Sequence, residues 1–185
     1  MRVELAWPLP ARPQTRPPQG GMPTPASPSA PVPAPAARPV VLDTNIVLDL
    51  LVFADPATAL LRQLLQAGAL QWIATAAMRG ELERVLAYDH IAPRVVFYGL
   101  SAPGVLAAFD AQARCVPVAA RLPTVVCRDT DDQPFLDLAA AHGAVLLSKD
   151  RAVLALRKRL RNFGADVGTV LVQVLPGAGV AAPVV

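Results

Sequence analysis

Along most of the chain, short continuous apolar runs alternate with segments in which apolar residues recur at helical spacing. The apolar runs show no in-and-out alternation, which is typical of strands that are buried on both faces. This pattern begins near residue 39 and predicts a central parallel sheet of about five strands, covered by helices on both sides in a three-layer α/β/α fold. The predicted strands span residues 39–43, 70–75, 114–118, 144–148 and 169–175.

The helical segments between these strands carry ordinary start and stop signals. Thr75 precedes one helix as an N-cap, Pro56 suits the first turn of another, and Gly68 and Gly143 suit helix ends. The stretch from residue 90 to 114 is helical in pattern but is interrupted by two prolines. The other predicted helices span residues 45–53, 56–68, 76–88, 131–143 and 151–164.

Composition divides the chain into three parts. Twelve of the 20 prolines lie between Pro8 and Pro39, among Ala, Ser, Gln and Arg residues. Such a segment buries too little apolar surface to offset its ordering entropy. We therefore predict a disordered Pro/Ala-rich tail over residues 1–38, one folded domain over residues 39–176, and a flexible C-terminal tail over residues 177–185.

Several classes of protein are disfavoured by composition. No apolar run approaches the roughly 20 residues of a membrane span, and the N-terminus lacks the apolar core of a signal peptide. Cys115 and Cys127 have neither metal-site spacing nor a disulfide pattern, so we expect both to be buried small residues. His90 and His142 have no partner in sequence and are interpreted as structural. A cytoplasmic protein that is not embedded in a membrane is expected.

The charges are segregated within a nearly neutral body. The predicted tail accounts for the formal net charge of +3, and three acids cluster at Asp129, Asp131 and Asp132. A basic segment follows between residues 149 and 161. An acidic cluster and a basic segment together suit a phosphate-backbone ligand held beside a metal ion.

Four carboxylates can meet at one crevice. Asp43 ends the first predicted strand and Asp150 closely follows the fourth, so the two face the same edge if these strands are neighbours. Glu81 lies on the helix after the second strand, beside its apolar row, and Asp132 begins the helix before the fourth strand. Clustered carboxylates repel one another, and a divalent cation such as Mg²⁺ or Mn²⁺ removes that conflict.

Each acid also has a structural explanation. Asp43 or Asn45 can cap the first helix, and Asp131 or Asp132 can cap the helix before the fourth strand. Asp150 can cap the helix that follows it. Glu81 taken alone is a surface residue in most helices. Asp49 lies well inside its helix without a partner in sequence, and we interpret it as a surface residue.

At these residues the sequence resembles the PIN domain family of metal-dependent nucleases, in particular its toxin components of the VapC type. The matching segments are "VVLDTNIVLD" with Asp43, "RGELERVL" with Glu81, and "RDTDDQPFLDLAAAHGAVLLSKD" with Asp132 and Asp150. The final motif departs from the usual Thr-Gly-Asp or Thr-Arg-Asp, because Ser148 and Lys149 precede the acid here. The Pro-rich tail also lies outside the family pattern.

The resemblance implies a metal-dependent endoribonuclease that hydrolyses RNA phosphodiester bonds with one or two Mg²⁺ or Mn²⁺ ions. It assigns the metal and the catalysis to Asp43, Glu81, Asp132 and Asp150, and supporting roles to Thr44, Asn45 and Ser148. RNA-backbone contacts are expected from Lys149, Arg151, Arg79 and Arg84. As partners it implies RNA, a small cognate antitoxin protein and a second copy of the chain in a homodimer.

Three other functions fit parts of the pattern less well. A catalytically silent PIN-like module that binds RNA or protein would have no reason to keep four mutually repelling acids. A receiver domain needs an acidic pair after the first strand, where Thr44 and Asn45 follow Asp43. A phosphatase of the haloacid-dehalogenase type needs an aspartate at the position of Asn45.

Overall fold

A computed structural model describes residues 37–175 of the chain. Its sheet has five parallel strands in the order β3-β2-β1-β4-β5, with helices packed on both faces, which confirms the predicted three-layer α/β/α fold. The central strands β1 and β4 are the most deeply buried, and Val40, Val41, Val145 and Leu146 have no exposed surface. The strands are β1 (Arg38–Leu42), β2 (Leu70–Ala74), β3 (Arg114–Cys115), β4 (Val145–Leu147) and β5 (Asp166–Gly168).

The helices fall close to the predicted segments. Two short 3-10 turns, Pro56–Thr58 and Arg161–Phe163, accompany them. Helix α6 packs on β1 and β4, whereas α1, α3 and α5 pack against one another. The helices are α1 (Thr44–Leu51), α2 (Ala59–Gln66), α3 (Ala76–Leu86), α4 (Ala92–Phe97), α5 (Ala102–Gln112), α6 (Gln133–His142), α7 (Arg151–Ala155), α8 (Arg157–Leu160) and α9 (Leu171–Val174).

Local sequence signals account for several helix ends. The Thr75 hydroxyl accepts a hydrogen bond from the Met78 backbone N–H at 3.4 Å, so the predicted cap of α3 is confirmed. Gly143 ends α6 with a left-handed backbone (φ 54°), which favours glycine. Pro93 and Pro103 lie in the first turns of α4 and α5. These prolines therefore begin two helices, where their missing N–H costs nothing, and do not interrupt one.

The predicted last strand is wrong. Residues 169–175 contain helix α9, and the fifth strand lies earlier, at Asp166–Gly168. Only three residues of β4 are available to pair with it, from Val145 to Leu147. Beyond Gly168 the apolar run buries Leu171 but leaves Val172 64 % exposed. A short apolar run does not distinguish a strand from a helix when only one of its sides is covered.

Two smaller expectations also change. The predicted helix over residues 151–164 is divided into α7, α8 and a 3-10 turn. Cys127 is buried as expected, but Cys115 is exposed at the sheet edge. Cys115 lies in β3, which is the edge strand of the sheet, so within the described residues no further strand pairs with its outer side.

The predicted domain boundaries stay a prediction. β1 begins at Arg38, one residue before the predicted domain start, and the Arg38 guanidinium bonds Asp166 of β5 at 2.6 Å. The predicted N-terminal tail, up to residue 36, and the predicted C-terminal tail lie outside the described residues. Between residues 37 and 175, no single helix has the length and hydropathy needed to cross a membrane; α1 and residues 56–66 meet both only as a pair, bent by 99°.

Candidate active site

The predicted acids lie at the carboxyl edge of the sheet, where the strand order reverses. β1 and β4 are neighbours, although β2 and β3 intervene in sequence. The chain leaves β1 at Asp43, whose backbone N–H donates to the Leu147 carbonyl of β4 at 3.0 Å. Asp150 follows β4 by three residues. Parallel α/β sheets bind their ligands at this kind of position, because diverging loops open a crevice there.

Asp43 is buried and held by two side chains. Its Oδ2 accepts hydrogen bonds from the Asn45 amide at 2.6 Å and from the Ser148 hydroxyl. Asp43 occupies the N-cap position of α1, but its side chain makes no capping hydrogen bond. Burial raises the pKa of Asp43 above its ordinary value, and the bonds from Ser148 and Asn45 oppose that rise. The capping explanation therefore does not account for this carboxylate.

Glu81 reaches the same crevice from α3. Its Oε1 accepts a hydrogen bond from the Thr44 hydroxyl at 3.0 Å, which ties α3 to the start of α1. Burial raises the pKa of Glu81, and the nearby Asp43 carboxylate raises it further, while the Thr44 bond lowers it. By contrast, the Glu83 side chain is 63 % exposed and lies 3.8 Å from Arg79. Helical register thus brings Glu81, and not Glu83, to the acids.

Asp132 has the most perturbed environment of the four. Its Oδ2 is buried and has no hydrogen-bond partner, although the residue stands at the N-cap position of α6. Burial, followed by the charges of Asp43 and Asp150, raises the pKa of Asp132 to about 7. Asp131 is exposed, and its backbone N–H donates to Asp129 in a tight turn at 3.0 Å. Of the two adjacent acids, Asp132 is influenced by the charges of Asp43 and Asp150, whereas Asp131 lies near Glu81.

Asp150 is the acid that does cap a helix. Its Oδ1 accepts a hydrogen bond from the Ala152 backbone N–H at 2.6 Å, at the start of α7. Its own backbone N–H donates to the Ser148 hydroxyl at 2.9 Å. Ser148 therefore connects Asp43 to Asp150 through one hydroxyl group. A carboxylate that caps a helix with one oxygen still offers the other to a ligand.

The side chains expected to support the site all contact its acids or their loops. Asn45 donates to Asp43 and accepts from the Lys149 backbone N–H at 3.2 Å, so it links the loops after β1 and β4. Thr44 and Ser148 are buried and direct their hydroxyls to Glu81 and Asp43. These bonds hold the start of α1, the loop after β4 and helix α3 in one arrangement.

The chemistry of this donor set fits a hard divalent cation. The four acids supply oxygen donors only, the kind that Mg²⁺ and Mn²⁺ prefer, and the buried Asp132 Oδ2 has no protein partner. As placed within residues 37–175, no three Asp, Glu, His or Cys side chains form a group able to hold an ion. Asp43 and Glu81 are instead bonded to the Ser148 and Thr44 hydroxyls. These bonds use one oxygen of each carboxylate, so the other oxygen of Asp43 and of Glu81 is available to an ion.

The basic residues expected near the site divide into two groups. Arg84 and Arg151 are exposed and form no salt bridge within the described part of the chain. Arg79 instead bonds Asp110 through two nitrogens, at 2.6 and 2.8 Å. The Lys149 ammonium lies 2.5 Å from Asp49, and this bond raises the pKa of Lys149. The charges of Arg79 and Lys149 are thus already matched by intramolecular partners.

The interpretation of Asp49 as a surface residue is wrong. Asp49 is only 8 % exposed, and the Lys149 ammonium neutralises it from the loop after β4. Helical position alone suggested an exposed side chain, because its partner lies about a hundred residues away in sequence. Long-range ion pairs of this kind leave no local pattern.

Sequence reasoning also missed Arg128 and the network around Gln133. Arg128 and Asp150 line the same open cavity, about 390 Å³ in volume. Arg128 directly precedes the acidic cluster in sequence, and this position could have been used to predict a basic side chain near the acids. Gln133 is buried and bonds three groups: the Cys127 N–H, the Val125 carbonyl and the Asp137 carboxylate. This network holds the loop that leads into Asp132. The local sequence contains no pattern that predicts the network.

A larger cavity of about 720 Å³ lies at the opposite edge of the sheet. The start of β2 and the end of α1 line it, together with Trp72 and Arg62, and none of the four acids reaches it. Size therefore does not identify the functional site here. The carboxylates, with the raised pKa values of Asp43, Glu81 and Asp132, make the crevice the candidate site.

The fold and the acidic crevice together define a parallel α/β domain with a carboxylate cluster at its topological switch point. A family model described as "PIN domain" matches residues 39–152, which is more than half of the chain. The chain therefore belongs to the PIN domain family, whose fold is of the nuclease type. No curated protein and no solved structure gives a significant match.

Proposed function

We propose that the protein is a metal-dependent endoribonuclease that hydrolyses RNA phosphodiester bonds. The observation that carries the proposal is the environment of Asp132. Its Oδ2 is buried without a partner, and its pKa is raised to about 7 by burial and then by Asp43 and Asp150. A structural carboxylate would have a hydrogen-bond partner. A positive ligand bound among Asp43, Glu81, Asp132 and Asp150 would remove the conflict.

The supporting residues have distinct tasks in this proposal. Ser148 and Asn45 keep the Asp43 carboxylate oriented, and Thr44 does the same for Glu81. Mg²⁺ or Mn²⁺, when bound, supplies positive charge against the phosphodiester and makes water more acidic. At neutral pH Asp132 would lose its proton when the cation binds, because the ion favours the charged carboxylate.

The exposed arginines around the crevice would hold the RNA backbone. Arg84 lies beside Glu81, whose pKa it lowers, while Arg128 and Arg151 lie beside Asp150. We assign the phosphate contacts to these three residues, since Arg79 and Lys149 are already paired. Contacts of this kind position a strand without reading its sequence.

The direct test is cleavage of single-stranded RNA by the purified full-length chain. Cleavage should require Mn²⁺ or Mg²⁺ and stop when EDTA is added. Asp43→Asn should reduce the rate by about a hundredfold or more, because it removes one charge from the metal site. Its circular dichroism spectrum should match that of the wild type. Metal-independent cleavage, or full activity of Asp43→Asn, would sink the proposal, and RNA binding without cleavage would favour a silent RNA-binding module.

The family resemblance further supports a toxin in a toxin–antitoxin pair, with a small antitoxin protein and a second copy of the chain as partners. Induced expression of wild type and Asp43→Asn, side by side, tests this biological role. Growth should arrest only with the wild type. Equal growth of both cultures, from strains that contain equal amounts of protein, would count against a toxin.

A further inference from the structure

A side cavity opens directly beside the acidic crevice. Its volume is about 260 Å³, and it lies between one face of α3 and the chain at the start of α6. Glu81 belongs to both the cavity wall and the acid cluster. Whatever enters the cavity therefore lies next to the proposed metal site. Its lining includes Met78, Glu81, Arg84, Val85, Tyr88 and Pro134.

Helical spacing arranges one wall of the cavity as a stripe. Glu81, Arg84 and Tyr88 follow one another at intervals of three and four residues, so they share the face of α3 and its C-terminal extension. The rise of 1.5 Å per residue puts Tyr88 about 10 Å from Glu81 along the helix. The Tyr88 side chain is 49 % exposed. An aromatic ring is thus presented to solvent a short distance from the acids.

The charges in this cavity disfavour a phosphate and favour an uncharged ring. Two carboxylates, Glu81 and Asp131, contribute to the wall, against one guanidinium from Arg84. A phosphate inside would meet a net negative lining. The remaining surface includes Met78, Val85, Pro134 and the Tyr88 ring, which are apolar or aromatic. Nucleobases have apolar faces and polar edges, so they match such a lining.

The ring of Tyr88 has an aromatic neighbour. The His90 ring lies 5.8 Å from it, centroid to centroid, with an angle of 32° between the planes. A supported aromatic side chain loses less conformational freedom when a base stacks on it. Arg84, which lies between Tyr88 and Glu81 in the stripe, is exposed and can hold, outside the cavity, the phosphate that joins a stacked nucleotide to the one at the acids.

We propose that this cavity is a subsite for an unpaired nucleobase, with Tyr88 as the stacking platform and Arg84 as the contact to its phosphate. The inference rests on the proposed ribonuclease function and adds a base-binding position beside the acids. A base must be unpaired to enter the cavity. Tyr88 is here a positioning residue, because it touches substrate away from the reacting atoms.

The test measures binding and does not depend on cleavage. The full-length chain carrying Asp43→Asn binds a short, end-labelled single-stranded RNA, and the Kd is measured by fluorescence anisotropy. Tyr88→Ala in this background should weaken binding at least about fivefold, the lower limit for loss of one base–aromatic stack. Tyr88→Phe keeps the ring and should bind like its parent. Phe97→Ala removes an 84 % exposed aromatic outside the cavity and should also leave the Kd unchanged.

A second measurement locates the base. A fluorescent purine analogue is placed at each position of the RNA in turn, and one position should be quenched by the parent but not by Tyr88→Ala. When that nucleotide is made abasic, Tyr88→Ala should cause no further loss, because both changes remove the same contact. A fully paired duplex of the same sequence should bind at least about fivefold more weakly.

The failures of the two proposals are distinguishable. If the parent binds RNA and Tyr88→Ala binds equally well, the subsite is wrong and the ribonuclease proposal stands. Additive losses from Tyr88→Ala and the abasic nucleotide would also overturn the subsite. If neither the parent nor the unmutated chain binds any RNA, both proposals fail.

Discussion

Asp132 and Gln133 are adjacent in the chain and lie at the start of α6, yet their environments are opposite. Gln133 is 2 % exposed and its amide is bonded at both ends: the oxygen to the Cys127 N–H at 2.8 Å, the nitrogen to Val125 and Asp137 at 2.9 and 2.7 Å. Asp132 has a buried oxygen without a partner, among carboxylates that raise its pKa to about 7. Two adjacent residues thus carry a polar group with complete hydrogen bonding and a buried oxygen that has no hydrogen-bond partner.

The difference is the basis for proposing that Gln133 serves the fold and Asp132 serves a ligand. A buried amide with complete hydrogen bonding holds its surroundings rigidly, because losing any partner leaves another group unpaired. An unpaired buried carboxylate costs stability, and sequences violate the satisfaction rule mainly at functional sites. The Gln133 network is therefore the support that holds the loop before α6, and Asp132 is the group that this support presents to the crevice.

The largest effect on stability is expected from Gln133→Ala. The substitution leaves the Cys127 N–H and the Val125 carbonyl without their bonds to Gln133. It also removes one donor to the Asp137 carboxylate and opens a small cavity. We expect the free energy of unfolding to fall by about 2–4 kcal/mol, measured by urea titration. Gln66→Ala, at an exposed position of α2, is the matched control and should change it by less than about 0.5 kcal/mol.

Equal stability of the two glutamine variants would contradict the structural role of the network. Gln133→Glu sharpens the test, because it keeps the shape of the side chain but replaces the N–H donors to Val125 and Asp137 with an acceptor. It should be at least as destabilising as Gln133→Ala. If Gln133→Glu has the same free energy of unfolding as the wild type, the network does not stabilise the loop before α6.

Adjacent residues with opposite roles also show what the sequence can predict. The apolar runs of β1 and β4 are buried on both faces, so their pattern was enough to predict the sheet. A shared edge for Asp43 and Asp150 depended on β1 and β4 being neighbours, which the structure shows. The Gln133 network and the Lys149–Asp49 pair depend on contacts between distant segments, which no local pattern records. β5 was misplaced because its three residues carry too little pattern to compete with the longer apolar run after them.

The next effect is a pH-dependent stability difference between the wild type and Asp132→Asn in the absence of metal. The pKa of Asp132 is raised in the folded state, from an ordinary value of 3.8 to about 7. Between these values the folded chain binds more protons than the unfolded chain, so the free energy of unfolding falls as pH rises. The Asp132→Asn variant has an amide in place of this carboxyl group, so it does not titrate there and escapes the loss.

We therefore expect Asp132→Asn to be more stable than the wild type at pH 8 by about 1–2 kcal/mol, after allowance for solvent screening, and the difference to vanish near pH 4. Thermal or urea unfolding in EDTA at both pH values measures it. Added Mn²⁺ should then stabilise the wild type more than the variant. Asp89→Asn, at an exposed position that does not influence the pKa of Asp132, is the control. A variant that is less stable at pH 8 would mean that the Asp132 carboxylate is already satisfied.

The smallest expected effects separate a base that serves the fold from one that faces the ligand. Lys149 neutralises the buried Asp49 at 2.5 Å, whereas Arg128 lies beside Asp150 and forms no salt bridge within residues 37–175. Lys149→Ala should lower the free energy of unfolding by about 1 kcal/mol, because Asp49 loses its cation, and should leave RNA binding nearly unchanged. Arg128→Ala should weaken RNA binding and leave the free energy of unfolding nearly unchanged.

The dependence of RNA affinity on salt concentration distinguishes the two bases more sharply than affinity at a single salt. Each phosphate contact releases bound counterions, so Arg128→Ala should reduce the slope of log K against log salt by about one, while Lys149→Ala leaves the slope unchanged. Titrations of the same RNA at several salt concentrations measure both slopes. A reduced slope for Lys149→Ala would show that its ammonium leaves Asp49 for the RNA. In that case Lys149 would pair with Asp49 in the free protein and with a phosphate when RNA is bound.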